Sequence, residues 1–169
     1  MTHEQFKEAA DYWNKKERVE MPEDQLKEAI TAYIRANNTC ALATGTDEYV
    51  RCTPIEYSYH DEAFWMFSEG GEKFIGLEKN KNVCLAIFDK YEGFGKLKSL
   101  QVMGTARIVE PFSEEYNEHA AYKKIPIEAL KKLKHPMNLI CVRPDKIEAL
   151  FSDFKEEGYD SRQRWNCHE

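Results

Sequence analysis

Arg51, Ser68, the pair Gly70-Gly71 and Lys73 are the equipment for holding a phosphate monoester. The glycine pair lets the backbone curl until successive amide hydrogens face one point, and a short helix opening there adds its positive end. Ser68 supplies a hydroxyl and Lys73 a point charge. The planar fork of Arg51 can grip two phosphate oxygens at once, each charge-assisted bond contributing about 1.5–3 kcal/mol. A plainer reading of the same residues is a surface-strand arginine, an ordinary glycine turn and a solvated helix lysine. Spacing alone leaves both open.

The elements that must position these groups are legible around them. Residues 50–59 alternate, the turn His60-Asp61-Glu62 follows, and residues 63–67 form another strand, so Arg51 and Ser68 can lie near one end of a hairpin. Residues 39–44 precede them as a strand, and residues 70–80 carry Phe74, Ile75 and Leu77 at helical spacing. Residues 82–88 form a buried strand, 97–109 a long one stopped by Pro111, and 137–142 and 146–151 the last two. Thr2 caps a first helix through about Lys16. Met21-Pro22-Glu23-Asp24 starts a second, with Leu26, Ala29, Ile30, Tyr33 and Ile34 as its apolar stripe and Asn37-Asn38 as its end. Both helices are expected to cap the core. Ser113 opens another helix, and residues 123–133 are mostly helical with a break near Pro126.

This order predicts an α+β fold: helices, a run of antiparallel strands, an inserted helix, then strands closing a barrel or highly curved sheet. A chain of 169 residues is expected to form one domain. Its parts are an N-terminal helical segment 1–38 packed on the barrel, a core 39–151, and a polar tail 152–169 that is mobile or exchanged with a neighbour. With 42% hydrophobic and 32% charged residues the chain reads as globular, and a net charge of −6 argues against a nucleic-acid surface. The longest apolar run, residues 83–88, is too short to span a bilayer. No signal peptide is evident, so the cytoplasm is the expected location. Five scattered cysteines without a C-x-x-C pair argue against structural zinc, and Cys167-His168 reads as incidental.

Five segments in order resemble the pyridoxamine 5′-phosphate oxidase-like, FMN-binding split-barrel family. They are Ala41-Leu-Ala-Thr44, Arg51-Cys-Thr-Pro-Ile55, Phe64-Trp-Met-Phe-Ser68 through Lys73, Asn80-Lys-Asn-Val83 and Gln101-Val-Met-Gly-Thr-Ala106. The resemblance covers about residues 25–150. It implies a six-stranded antiparallel split β-barrel with flanking helices, dimeric, with FMN at the interface. By position, Arg51 resembles the arginine on the FMN phosphate and Lys73 the lysine assisting it, with Phe67 and Ser68 in the phosphate and ribityl region. Cys52 and Thr53 would lie beside the isoalloxazine with main-chain groups at its polar edge, and Pro54, lacking an amide hydrogen, suits an edge or bulge. Gln101 would reach the ring across the dimer, with Lys98 and Ser99 competing for that role.

Departures from the family pattern bear on the substrate. A phosphate-holding lysine five positions after the strand arginine is here Glu56, a reversed charge. The family's Ser-Arg-Pro segment and its C-terminal tryptophan with Arg-Leu-His have no counterparts. The resemblance therefore implies a kept cofactor pocket and a lost oxidase substrate pocket: an FMN-dependent oxidoreductase passing hydride or electrons from NAD(P)H to a small acceptor. Alternatives are a non-catalytic FMN-sequestering protein, a haem-handling relative using His168 or His135, and a deazaflavin protein. His60 beside Asp61 reads as turn chemistry, and His119 has no partner readable from sequence. Trp13, Trp65 and Trp165 read as core or interface anchors, while Tyr57 and Tyr59 share a strand face that lines either the pocket or the core. No side chain stands out as acid or base, which suits flavin chemistry, where the cofactor carries the reaction.

Overall fold

The computed structural model describes residues 1–168. Helix α1 (His3–Lys15) starts at Thr2, whose hydroxyl accepts from the Gln5 amide while the Gln5 side chain returns to the Thr2 amide. Helix α2 (Glu23–Ala36) buries Leu26, Ile30 and Ile34, four residues apart on one stripe. Each contributes roughly 1.5–3 kcal/mol by leaving water. The first helix behaves differently from expectation. It buries no residue, and Phe6, Tyr12 and Trp13 stay exposed, so only the second helix caps the core.

The sheet is antiparallel throughout and curls on itself. Its strands are β1 (Thr39–Gly45), β2 (Val50–Glu56), β3 (Ser58–His60), β4 (Ala63–Ser68), β5 (Asn82–Phe88), β6 (Lys98–Val109), β7 (Asn138–Phe151) and β8 (Arg162–Asn166). Helix α3 (Lys73–Lys79) follows β4, and α4 (Glu114–Tyr122) and α5 (Ile127–Lys131) follow β6. Strand order is β2-β1-β5-β6-β7-β4-β3, with β8 also on β7. Because β2 runs into β3 through the single residue Tyr57, the two ends of this order are covalently joined and the sheet forms a split half-barrel. No helix among the described residues is long and apolar enough to cross a membrane.

Three details differ from the sequence expectation. The strand read over 50–59 breaks at Tyr57: β2 pairs with β1, and only β3 forms the hairpin with β4. The Tyr57 ring turns inward, and its hydroxyl donates to the Ile34 carbonyl at 2.7 Å. The two strands expected at 137–142 and 146–151 are one. A bulge opposite Met103 and Gly104 absorbs the extra residue Asp145, and Pro144, which has no amide hydrogen to donate, sits beside it where ladder pairing lapses. The polar tail folds: residues 152–157 make a 3₁₀ turn, and β8 pairs with the C-terminal half of β7. Eight strands therefore stand where the family resemblance implies six.

Two cores result. The barrel interior holds Leu42, Phe64, Met66, Leu85, Ile147 and Trp165, together with Tyr57 and Tyr59, which settles that tyrosine pair into the core. On the outer side of β4 and β7, a second cluster packs Trp65, Leu139 and Cys141 under Tyr116 and Ala120 of α4 and Leu130 of α5.

Candidate functional site

The two expected clamp cations meet at one corner of the half-barrel. Arg51 stands opposite Thr44 in the β1–β2 ladder, and α3 packs against both strands. Gly70 and Gly71, at φ 149° and 104°, turn the chain from β4 into α3 through a region that side-chain-bearing residues avoid. The Ser68 hydroxyl is spent within this turn, donating to the Gly70 carbonyl and accepting from the Gly70 amide, both at 3.2 Å. Lys73 is only 6% exposed, and its ammonium donates back to the Gly70 carbonyl. Burial, and then the charge of Arg51, lower the Lys73 pKa.

Arg51 has a partner that spacing did not reveal. Its Nη1 lies 2.9 Å from Glu72 Oε2, and the Tyr49 hydroxyl donates to the same oxygen at 2.9 Å. The corner thus holds two mutually repelling cations against one carboxylate. Beside them Thr44 Oγ1 is buried with no hydrogen-bond partner. A dianionic phosphate ester fits this donor set: it would neutralise both cations where Glu72 balances one.

Strand alternation sorts the remaining candidates. Arg51 and Thr53 face the side carrying α3, whereas Cys52 and Pro54 face outward with Ala41, Ala43, Cys84 and Ala86. This outer face carries a groove of about 430 Å³ running from Thr44 and Gly45 across Cys84 and Met103 to Asp145. Ser99 and Gln101 lie on the same face, Gln101 in the row Pro54–Ala41–Ala86–Gln101. Lys98 points the other way. It is held by Asp153 at 2.7 Å and lies over the Phe151 ring, apart from Ser99 and Gln101. Phe67 is separated too, packing against Tyr116 and His119 on the opposite face of β4 from Ser68.

Sequence reasoning missed a chain of polar groups under α4. Asp61 Oδ2 lies 2.8 Å from His60 Nδ1, His60 Nε2 lies 2.9 Å from His119 Nδ1, and His119 Nε2 is 3.5 Å from the Ser58 hydroxyl. Trp65 stacks on both rings, and Tyr122 covers His60. The separation of 59 positions between the two histidines leaves no local signal for the pair. Burial, then the neighbouring His60 and Lys123, push the His119 pKa down from 6.5 to about 4. The unfolded chain therefore binds the proton more readily, and stability is complete above about pH 6.5 and falls as pH drops toward 4. At about 1.4 kcal/mol per pH unit, the expected loss between pH 7 and 4.5 is about 2–3 kcal/mol. Urea midpoints of the wild type and His119→Gln at pH 7 and 4.5 check this: the variant should lose most of the difference. An equal difference in both proteins assigns it to other groups.

A curled antiparallel sheet with a cationic turn at its corner and flanking helices defines a split-barrel protein. The chain belongs to the pyridoxamine 5′-phosphate oxidase family, whose profile matches residues 26–151. Comparison with curated proteins returns no match. Among solved structures, the chain is similar to a haem storage protein, HutZ, from Vibrio cholerae (19% identity, 75% of this chain and 96% of that one, TM-score 0.62). It is similar also to an FAD-binding protein from Mesorhizobium loti (18% identity, 73% and 90%, TM-score 0.58). A third is General Stress Protein 26 from Bacillus anthracis (24% identity, 73% and 92%, TM-score 0.55). These likenesses establish the fold.

Proposed function

We propose that this protein is an FMN-binding flavoprotein, a homodimer with flavin at the interface, passing hydride or electrons from a reduced nicotinamide to a small acceptor. The observation that carries the reading is the buried Lys73 beside Arg51, with a single carboxylate, that of Glu72, on the arginine. Bound FMN would supply the hydride chemistry. The chain supplies position. Arg51 and Lys73 hold the phosphate, and the unpaired edge of β2 at Cys52 and Thr53 offers main-chain groups to the polar rim of the ring. Gln101 lies three strands from Pro54, roughly 14 Å at about 4.8 Å per strand. In a dimer it therefore serves the flavin held by the other copy. Glu56, paired with Lys123, presents a carboxylate where a second phosphate would need a cation, so pyridoxamine phosphate is not the proposed substrate.

The visible spectrum of the purified protein, with mass analysis of any released ligand, tests the reading and separates FMN from a deazaflavin. A protein that neither retains nor binds flavin sinks it. Mixing with NADH and NADPH then decides between turnover and sequestration, since a flavin reduced by neither leaves only binding. A second reading, haem binding, rests on exposed His168, whose Nε2 meets Asp145 at 3.2 Å near the outer groove. A Soret band lost in His168→Ala would support it.

Glu72 competes with the phosphate for Arg51. Removing its charge as Glu72→Gln is expected to tighten FMN binding about two- to fivefold, consistent with the modest strength of a half-exposed ion pair. Titration of the flavin-free protein checks this, and weaker binding would mean that Glu72 orients the arginine instead.

A further inference from the structure

A second cavity, of about 380 Å³, lies where α1, the loop before β6 and the C-terminal segment meet. It is lined by Trp13, Phe94, Lys16, Arg18, Lys155 and Arg162. In a chain of net charge −6, four cations around one cavity stand out, and none of the four has a carboxylate within 4.0 Å among the described residues. Arg162 Nε is buried with no hydrogen-bond partner, and its guanidinium lies 4.5 Å from the Trp13 ring. Lys16 Nζ approaches the same ring at 5.3 Å. The one carboxylate in the lining, Asp160, is occupied by the Val19 amide at 2.9 Å. Phe94 is 84% exposed, an aromatic face held open to solvent.

The walls are tied in place before any ligand arrives. Ser152 Oγ donates to the Phe94 carbonyl at 2.8 Å and accepts from the Leu97 amide at 2.9 Å. Gln163 Nε2 donates to the Val19 carbonyl at 3.1 Å and joins the segment before α2 to β8. Five of the six named residues, all but Phe94, lie outside residues 26–151, the stretch that the family profile matches.

We propose that this cavity is a site for a nucleoside phosphate. Guanidinium and ammonium groups without partners are the chemistry that receives a phosphate or diphosphate, and Arg162 is held ready by stacking on Trp13. Phe94 offers its exposed π-face to a base, and stacking of this kind contributes about 1–3 kcal/mol per base. The volume lies within the range of small-molecule sites. The site is separate from the Arg51–Lys73 corner and stands whether or not that corner holds a flavin.

Calorimetric titration of the purified protein with ADP, adenosine and inorganic phosphate tests it. ADP should bind at least tenfold more tightly than either part alone. Arg162→Gln should weaken ADP binding at least tenfold, and Phe94→Ala, which removes only an exposed ring, at least threefold, with both variants keeping wild-type urea midpoints and flavin content. Absence of ADP binding, ADP affinity no better than that of inorganic phosphate, or affinity lost in Arg51→Ala but kept in Arg162→Gln each overturns the proposal.

Discussion

Replacing Arg51 by alanine and Lys73 by methionine together is expected to weaken FMN binding about a thousandfold. Each cation would make charge-assisted bonds to the phosphate contributing roughly 1.5–3 kcal/mol, so losing both removes about 3–6 kcal/mol, or two to four decades in affinity. The fold should survive. Arg51 is about half exposed, so its removal leaves Glu72 in water and not orphaned in a core. Methionine keeps the buried aliphatic stem of Lys73 while deleting an ammonium whose burial already lowers its pKa. Riboflavin, which lacks the phosphate, separates this role from a general effect on the pocket. Its affinity for the flavin-free protein should be the same in wild type and double variant. An equal loss for FMN and riboflavin would remove the phosphate from Arg51 and Lys73.

The parts of this arrangement that were legible in the sequence are those encoded within a few residues. The Thr2 cap, the stripe holding Leu26, Ile30 and Ile34, and the Gly70-Gly71 turn each carry their own local physics, and each forms where expected. The parts that were not legible depend on which strand lies next to which. Residues 50–59 alternate without a break, and only the pairing of β2 with β1 and of β3 with β4 shows that Tyr57 divides them. That division is what brings Arg51 to α3 from another hairpin, through Glu72. Strand β8 has its signal, Gln163 and Trp165 inward with Arg162 and Arg164 outward. In a short polar segment that pattern has no force until β7 offers a free edge. Lys98 and Phe67 sit next in sequence to Ser99 and Ser68, and the two-residue period of a strand sends each to the opposite face.

Gly104→Ala is expected to destabilise the protein by about 3 kcal/mol or more, because an added Cβ there meets the closest backbone contact of any glycine in the chain. An added Cβ would lie 2.3 Å from the Arg143 carbonyl oxygen, a contact that real side chains do not make, and 3.1 Å from its carbon. The obstacle is backbone, so no rotamer change relieves it. Either β6 and β7 must separate at their bulge or the alanine must be strained, and both break a ladder that otherwise runs from Lys98 to Val109. Against a typical total stability of about 5–15 kcal/mol this is a large fraction. The damage should also reach the proposed flavin surface, because Gly104 and the bulged Asp145 line the outer groove. Urea unfolding of Gly104→Ala beside Thr105→Ser, which keeps the exposed hydroxyl that donates to Asp145 Oδ2 at 3.3 Å, measures the difference. The second variant should stay within about 0.5 kcal/mol of wild type. If Gly104→Ala does too, the close approach of β6 and β7 at the bulge does not hold the half-barrel's curvature, and the groove at its rim takes its shape from elsewhere.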